Sequence, residues 1–499
     1  MASLFYGLEI AKSGLNVSQQ GISLTGHNIS NANTVGYTRQ RIIQNSVEPS
    51  SKLSRVCSIS KSTIGGGVAI TMIDQVRSQY LDRKFRNENA TLGNYNMRAE
   101  ELDYIETVVD ELSSTGISKA MADFFKSVSE LSGDPVNDEY RTNVQQNALK
   151  MAESFNHYYN ELTDLQDTYN KNMNTTVIQI NELLTSIATY NEQIFGYELS
   201  GEQANDLRDK RNLLLDELSG LIDISCEVDS QGRLSVECNG TDLVNHTDYA
   251  TLYTVAEITD PISGATDLYN IYIDPIDPLA ANAVFNYTDG KLMAYKNLRD
   301  GNTSDNMGIP YILDRLNTLA RSMAKEFNDI HRTGHTKPDG ATPSQTGVNF
   351  FAVPAGGYDD VTAGNFWLSA EILANVSNIA ASSLEVTDTM AGNNEIALVL
   401  ADLSLRKDLD DVGNFEEFLS SMTIELGIES AKSQTLSNSQ IAIIDNLAVR
   451  KESISGVSLD EEMVQMMTYQ HAYAAASRVL TAIDEALDVL INRTGTVGR

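Results

Sequence analysis

Residues 23–41 read SLTGHNISNANTVGYTRQR, and the reading of this stretch decides how the rest of the chain is organised. Upstream of it, apolar residues return at alternating steps of four and three: Leu4, Leu8, Ala11, Leu15, Ile22 and Ile29. The small polar residues Ser18 and Thr25 fill the two remaining positions. That period is a heptad seam on a helix, not the alternation of a strand. A helix over residues 4–29 is about 40 Å long at ~1.5 Å per residue. Gly7, Gly14, Gly21 and Gly26 each cost it up to about 1 kcal/mol relative to alanine, so alone it is marginal. The glycines point to close packing against partners supplied from elsewhere. After Ile29 the seam stops, and Asn31, Asn33 and Gly36 are residues that turn a chain, through side-chain bonds to their own backbone and tolerance of positive φ. The crowding of His27, Asn28, Asn31 and Asn33 therefore reads as a helix end and a turn, not as an active site.

A matching seam lies at the other end. Met463, Met466, Tyr473, Leu480, Leu487 and Ile491 share one 3-and-4 line, interrupted by Gln470, Ser477 and Asp484; Ala476, Val479, Ile483, Ala486 and Leu490 widen the apolar face. Ser458 is placed to cap this helix, with capping-box spacing to Glu461, and Asp460, Glu461 and Glu462 fall in the first turn, where carboxylates favour the helix dipole. One seam at each end predicts that the two ends pair.

Between them, residues 43–75 read as loop and short strands, with a glycine turn at Gly65, Gly66 and Gly67 feeding a strand. From 76 to 220 the pattern is helical, and one apolar face persists without a proline from Phe155 to Ile194, which predicts a long bundle helix. "LRDKRNLLLDEL" (207–218) lies in a return helix. Residues 222–296 change to β-branched and aromatic runs such as TLYTVAEI and LYNIYI, broken by Asp, Gly and Pro, and read as strands. Residues 309–331 are helical, 332–395 loop-rich with scattered strands, and helix resumes near 414. The predicted class is mainly α with a β insert, an α+β multidomain chain in which the outer helices belong together.

The chemistry the sequence offers is sparse. A formal charge of −32 opposes nucleic acid and anionic membranes as partners. No run of apolar residues is long enough to span a membrane. The N-terminal stretch lacks the cationic region and unbroken apolar core of a cleaved secretory signal, which leaves open export by a route that uses none. His331 and His335 are four apart, but Gly334 and Pro338 end the helix and no third ligand is spaced to them. The acidic stretch from Asp408 has Gly413 in the sixth position of a calcium loop, yet Val412 and Leu419 occupy ligand positions. Gly65–Gly67 lacks the Lys-Ser/Thr of a phosphate-binding loop. Cys57, Cys226 and Cys238 are expected as free thiols; in the hairpin CEVDSQGRLSVEC, with Asp229–Gly232 as turn, Cys226 is expected opposite Ser235. No catalytic, cofactor or metal set emerges.

The two ends together resemble the bacterial flagellar axial proteins of the rod, hook and hook-associated family. The likeness is carried by NISNANTVGYTRQ (28–40) after a helix containing Ser-Gly-Leu-Asn, and by SGVSLDEEM (455–463) before the last helix. Rod and hook members carry Pro before Gly-Tyr where this chain has Val35; GYTRQ (36–40), LRDKRNLLLDEL (207–218) and EFNDIHRTG (326–334) favour the hook-associated members. The resemblance implies a structural subunit joining hook to filament, not an enzyme. It also implies a placement outside the cell in the flagellum, reached through the type III export apparatus without a cleaved signal. Hook protein, a second junction protein, copies of itself in a ring and an export chaperone are the implied partners. The alternatives are a hook or distal-rod subunit and a secreted enzyme carried on axial ends.

The same resemblance implies three domains. An antiparallel terminal coiled coil takes 1–42 and 455–499. A long-helix middle domain takes 43–221 and 400–454, joined by the helix in 309–335. A β-rich outer domain takes 222–308 and 336–399. The expected assembly residues are Leu4, Leu8, Leu15, Ile22 and Ile29 on the first helix, and Asn28, Asn31, Asn33, Gly36, Tyr37 and Arg39 around the turn. On the last helix they are Met463, Met466, Tyr473, Leu480, Ile483, Leu487 and Leu490.

Overall fold

A 61-residue helix, Asp138–Glu198, is the longest element and packs against four other helices and strands of the β insert. At ~1.5 Å per residue it runs about 90 Å. Asn137 caps it by accepting from the Glu139 amide, and Asp138 and Glu139 place negative charge at its positive end. Its buried face steps by four and three through Val144, Ala148, Met151, Phe155, Tyr158 and Leu162, and resumes from Tyr169 through Met173, Ile180, Leu184, Ile187 and Ile194. Gln166 stands where the two runs join. It is buried and donates to Asp260 Oδ2 and to the Arg299 carbonyl, each at 3.0 Å, so the helix is fastened to the β insert there.

The computed structural model describes residues 2–47, 65–114, 116–229, 232–276, 283–340, 343–387 and 392–493. In chain order the helices are α1 (Ala2–Ser30), α2 (Gln79–Ser114), α3 (Ile117–Gly133), α4 (Asp138–Glu198), α5 (Asn205–Leu221), α6 (Lys291–Asp300), α7 (Ile309–His331), α8 (Ala370–Ala374), α9 (Glu395–Asp402), α10 (Phe415–Ser455) and α11 (Leu459–Asp488). Among the described residues the strands form three antiparallel sheets. One is a hairpin of β1 (Gln40–Ser46) and β2 (Val68–Gln75). The second has the order β3 (Ser225–Val228), β4 (Leu234–Cys238), β5 (Thr241–Asn245), β6 (Asp248–Tyr249). The third runs β7 (Thr251–Ile258), β8 (Leu268–Asp274), β9 (Ala283–Val284). The fold is thus mainly helical with a β insert between α5 and α6, as the hydropathy pattern predicts.

Helices α3, α5, α6 and α7 pack on α4, while α10 lies along α2. That last pair is antiparallel: Lys451 reaches Asp82 at 3.5 Å, Gln440 reaches Glu88 at 2.7 Å and Arg98 reaches Glu429 at 3.2 Å. One buried cluster continues from Leu102 in α2 through the β insert to Leu426 in α10.

Two local expectations are corrected. In the β3–β4 hairpin Cys226 pairs with Val236, not Ser235. Gly232 takes a left-handed φ of 81°, which lengthens the loop by one residue and shifts the register. Cys226 and Cys238 are free thiols; Cys57 lies outside the described residues. Among the described residues, the strands expected within 332–395 appear only as isolated bridges, His335 with Ser382 and Phe351 with Leu368. This segment is held instead by side chains of α7. Asn328 Oδ1 accepts from the Phe350 and Phe351 amides at 2.8 and 2.9 Å, and its Nδ2 donates to the Phe351 carbonyl at 2.9 Å. Phe350 and Phe351 thereby enter an aromatic cluster with Phe124 and Phe327.

Candidate assembly interface

The ends of the chain meet along a line of small residues. A methyl group placed on Gly7 would lie 3.4 Å from Ile483 Cδ1, one on Gly14 4.0 Å from Ala476 Cβ, and one on Gly21 2.6 Å from the Tyr469 ring. Seven residues further along α1, the Asn28 amide donates to Glu462 Oε2 at 3.1 Å. Each heptad forward on α1 is a heptad backward on α11, so the helices are antiparallel and glycine sets their closest approach. Ala11, Ser18 and Thr25 are buried between these points. The Ser18 and Thr25 hydroxyls donate to the Gly14 and Gly21 carbonyls of their own helix, at 2.8 and 2.9 Å, which removes the cost of burying them.

This line is rotated from the expected one. Leu8, Leu15, Ile22 and Ile29 are only half-buried, one residue round the helix from the glycines. On α11, Met466, Leu480, Ile483 and Leu487 are half-buried; Tyr473 is 37% and Leu490 38% exposed, and Met463 is exposed at 49%. The side chain of Leu4 lies outside the described residues. Tyr469, absent from the expected set, is the residue that fills the gap above Gly21.

At the far end of α1 a polar latch takes over. Asn28 is fully buried and uses all its bonding capacity. Its Oδ1 accepts from the Tyr37 hydroxyl at 2.7 Å and the Gln40 amide at 3.2 Å; its Nδ2 donates to the Gln40 carbonyl at 2.9 Å and to Glu462. Arg39 donates from Nε to Glu462 Oε1 and from Nη1 to Glu461 Oε2, both at 2.8 Å. The Arg39 amide also donates to the Ser455 carbonyl at 2.8 Å. Ser458 caps α11 by accepting from the Glu461 amide, and this fixes the carboxylates at the mouth of the latch. Glu462 is 2% exposed, so the Arg39 pair is shielded on one side and held by directed bonds.

The turn is shaped by Asn31 and Gly36. Asn31 Nδ2 donates to the His27 carbonyl at 3.0 Å, and Gly36 adopts φ 81° beside Leu213 of α5. Asn33 is exposed. Asn28, grouped with the turn residues above, sits inside α1 and points across to α11. Tyr37 gives its own proton to Asn28, so at its 3.1 Å contact with His27 Nδ1 its oxygen is the acceptor, while Nε2 of the same ring lies 3.7 Å from Asp206. Burial, with Asp206, Asp209 and Glu462 nearby, pushes the Tyr37 phenol well above its usual range, so it remains a donor. Tyr37 and Arg39 make these contacts within the chain.

A residue not anticipated from the sequence anchors the turn to the helical body. Asp209 of α5 is buried, accepts from the Thr38 amide at 2.9 Å and from Gln75 Nε2 at 2.8 Å, and lies 3.6 Å from Arg77. Burial raises its pKa against the opposing pull of the Thr38 bonds. Gln40 reaches Asp206 Oδ1 at 2.8 Å on the same helix. The motif 207–218 thus meets the motif 28–40. In the motif 326–334, Asn328 binds the aromatic segment. His331, once a metal candidate, is fully buried, with Nδ1 on the Val348 carbonyl and Nε2 accepting from the Ala380 amide, both at 2.8 Å. Burial pushes its pKa down to about 4, and it is a neutral structural pin.

Residues 452–493, the α10 end and α11, match the family described as flagellar basal body rod FlgEFG protein C-terminal. Residues 102–351 match the flagellar hook-associated protein FlgK helical domain. The flagellar hook-associated protein 1 of Bacillus subtilis is 30% identical over the whole of both chains, and that of Escherichia coli 24% identical over 97% of this chain and 98% of its own. The structure of the flagellar hook junction protein FlgK from Burkholderia pseudomallei superposes with a TM-score of 0.60 at 15% identity, over 75% of this chain and all of that one, and so shares the fold. The chain belongs to the flagellar hook-associated protein 1 family.

Proposed function

We propose that this chain is a structural subunit of the bacterial flagellum that joins hook to filament, and that its ends complete their folding when copies assemble. The observation that carries the proposal is the unequal burial of the terminal pair. On α11 only Glu462 is buried, while Leu459, Met463, Val464, Met467 and Val479 are each about half exposed or more. Leu8, Leu15, Ile22 and Ile29 are half-covered. An apolar surface of that extent on a helix pair fits further helices of the same kind, and their burial offsets the ordering cost of glycine-rich α1. On this reading 1–42 and 455–499 form the inner coiled coil, 43–221 and 400–454 with the 309–335 helix the middle domain, and 222–308 and 336–399 the outer domain. The role is structural, not enzymatic. Its neighbours are hook protein on one side, a second junction protein on the other and copies of itself around a ring. The subunit leaves the cell by type III export, with a chaperone on its C-terminal helix beforehand.

The test is a deletion strain. Intact hooks without filaments, and flagellin shed into the medium, are the expected outcome; failure to form hooks would refute the junction position. In the same strain Leu480→Asp or Leu15→Asp should leave the α4 body folded by circular dichroism yet restore no filaments. Restoration of normal filaments by either variant would refute assembly through these helices.

A further inference from the structure

Away from the terminal helices, the end of β2, α2, α5 and the β3–β4 hairpin line an open cleft of about 480 Å³. Five guanidinium groups line it, from Arg77, Arg83, Arg86, Arg208 and Arg211. In a chain of formal charge −32, five guanidinium groups on one cleft are a local concentration. Three of the five are fixed by carboxylates. Arg77 holds Asp82 through bonds of 2.6 and 3.1 Å, Arg86 donates to Asp216 at 2.8 Å, and Arg208 grips Glu198 through two bonds of 2.7 Å. These pairs set the walls.

The other two have capacity left. Arg83 is exposed and makes no ion pair among the described residues. Arg211 is buried, gives Nη1 to Asn191 Oδ1 at 2.8 Å, and has a buried Nε with no partner. No carboxylate lies within ion-pair distance of Arg211 among the described residues; Glu198, already held by Arg208, acts on it only from further off, and a buried cation left so is costly unless something supplies more charge. Burial, and next the neighbouring Arg208, push the Arg211 guanidinium down to about 10, the direction expected where negative charge is short. Asp82, Asp74 and Glu227 also line the space: Asp82 is engaged by Arg77, Asp74 lies 3.5 Å from Arg41, and Glu227 is exposed to solvent, where its charge is screened. The fork of a guanidinium matches paired oxygens, and the volume falls among those typical of small-molecule sites, roughly 300–1,000 Å³.

We propose that this cleft binds a small ligand carrying two or more anionic oxygens, a di- or tricarboxylate or a phosphate ester, with Arg211 and Arg83 as its donors. The site is separate from the terminal helices and does not depend on the junction role. Cys226 lines the same cleft, its thiol beside Arg86, and reports on occupancy.

The experiment titrates citrate and, separately, inorganic phosphate into the full-length chain at low salt, by calorimetry. In parallel, N-ethylmaleimide labelling of Cys226 is followed by peptide mass spectrometry, with buried Cys238 as internal reference. Saturable binding of one probe, with slowed labelling at Cys226 alone, is expected. Arg211→Gln and Arg83→Ala should each weaken binding about tenfold. Arg83 is on the surface, so its variant keeps the test open if the Arg211 variant melts early. No saturable binding by either probe would overturn the proposal. So would binding that leaves Cys226 labelling unchanged, or that a folded variant retains at full strength.

Discussion

Gly21→Ala is the substitution that most directly tests the register of the terminal helices. Two opposed terms decide its sign. Alanine inside a helix is favoured over glycine by about 1 kcal/mol. Against that, the new methyl would lie 2.6 Å from both Cγ and Cδ1 of Tyr469. Cγ is one bond from the Tyr469 Cβ, so the ring cannot swing clear without changing its χ1 rotamer or parting the helices. Overpacking of that kind costs about 1–3 kcal/mol, so the net effect runs from neutral to about 2 kcal/mol destabilising. Gly26 is the control on the same helix: nothing lies within 4 Å of its added methyl, and Gly26→Ala should collect the full propensity gain. Gly14, where the added methyl would meet Ala476 Cβ at an ordinary contact of 4.0 Å, should gain as Gly26 does. The Gly26 and Gly21 variants should therefore differ by about 1–3 kcal/mol, or roughly five- to over a hundredfold in the opening equilibrium of the pair. Hydrogen exchange of the α11 amides around Tyr469 in the full-length monomer reads that equilibrium. A second arm adds Tyr469→Ala, in which background Gly21→Ala should lose its penalty and become favourable. If Gly21→Ala protects α11 as well as Gly26→Ala does, α1 and α11 do not pack in this register and the glycine line has no role.

Other consequences follow from the latch and the body. Arg39→Ala leaves Glu462 buried with only Asn28 to hold it, and should loosen the start of α11 by about 3 kcal/mol; Arg39→Ala with Glu462→Gln should lose less than Arg39→Ala alone, by hydrogen exchange of residues 459–466. An equal or larger loss in the double variant would show that the ion pair is not what holds the turn to the helix. His331 has its pKa lowered from 6.5 to about 4, so the stability it contributes is complete above pH 6.5 and is lost as the pH falls toward 4. The loss amounts to about 3 kcal/mol by linkage. Urea unfolding at pH 7 and pH 4.5 should show a steeper fall for the natural chain than for His331→Gln, and parallel falls would contradict a neutral buried imidazole.

The long helices were legible because each repeats an apolar face over several turns, and such a pattern leaves little choice of period. The α4 face from Phe155 to Ile194, and α7 from Ile309 to His331, are read almost residue for residue. The line of closest approach between the ends was less legible. Hydropathy marks where water is excluded, whereas approach is set by what is small, and glycine carries no hydropathic signal. Gly7, Gly14 and Gly21 were visible both as costs to a helix and as signs of close packing; what hydropathy did not show is that their spacing of seven, not the large apolar line, marks where α11 lies. Glu462 was hidden for another reason. A carboxylate in the first turn of a helix is explained by the dipole, so nothing in the local sequence calls for the partners it has in Asn28 and Arg39, more than 400 residues away. Asp209 is hidden in the same way, since burial of a charge depends on the fold that brings Thr38 and Gln75 to it.

The rotation between the expected and the observed seam has a consequence for how α1 is used. Its small-residue line, Gly7, Ala11, Gly14, Ser18, Gly21, Thr25 and Asn28, is occupied within the chain by α11. Its large apolar line, Leu8, Leu15, Ile22 and Ile29, is the one a water-excluding partner would seek, and it is left half-covered. One helix therefore offers two adjoining surfaces with different chemistry. The first allows close approach but contributes little apolar area, which suits a pairing fixed by geometry and locked by the Asn28–Glu462–Arg39 latch. The second offers area without a lock. Intramolecular pairing through the first would set the orientation of the second before any neighbour arrives, so that assembly adds burial to a surface already aligned and loses less entropy than two free helices would.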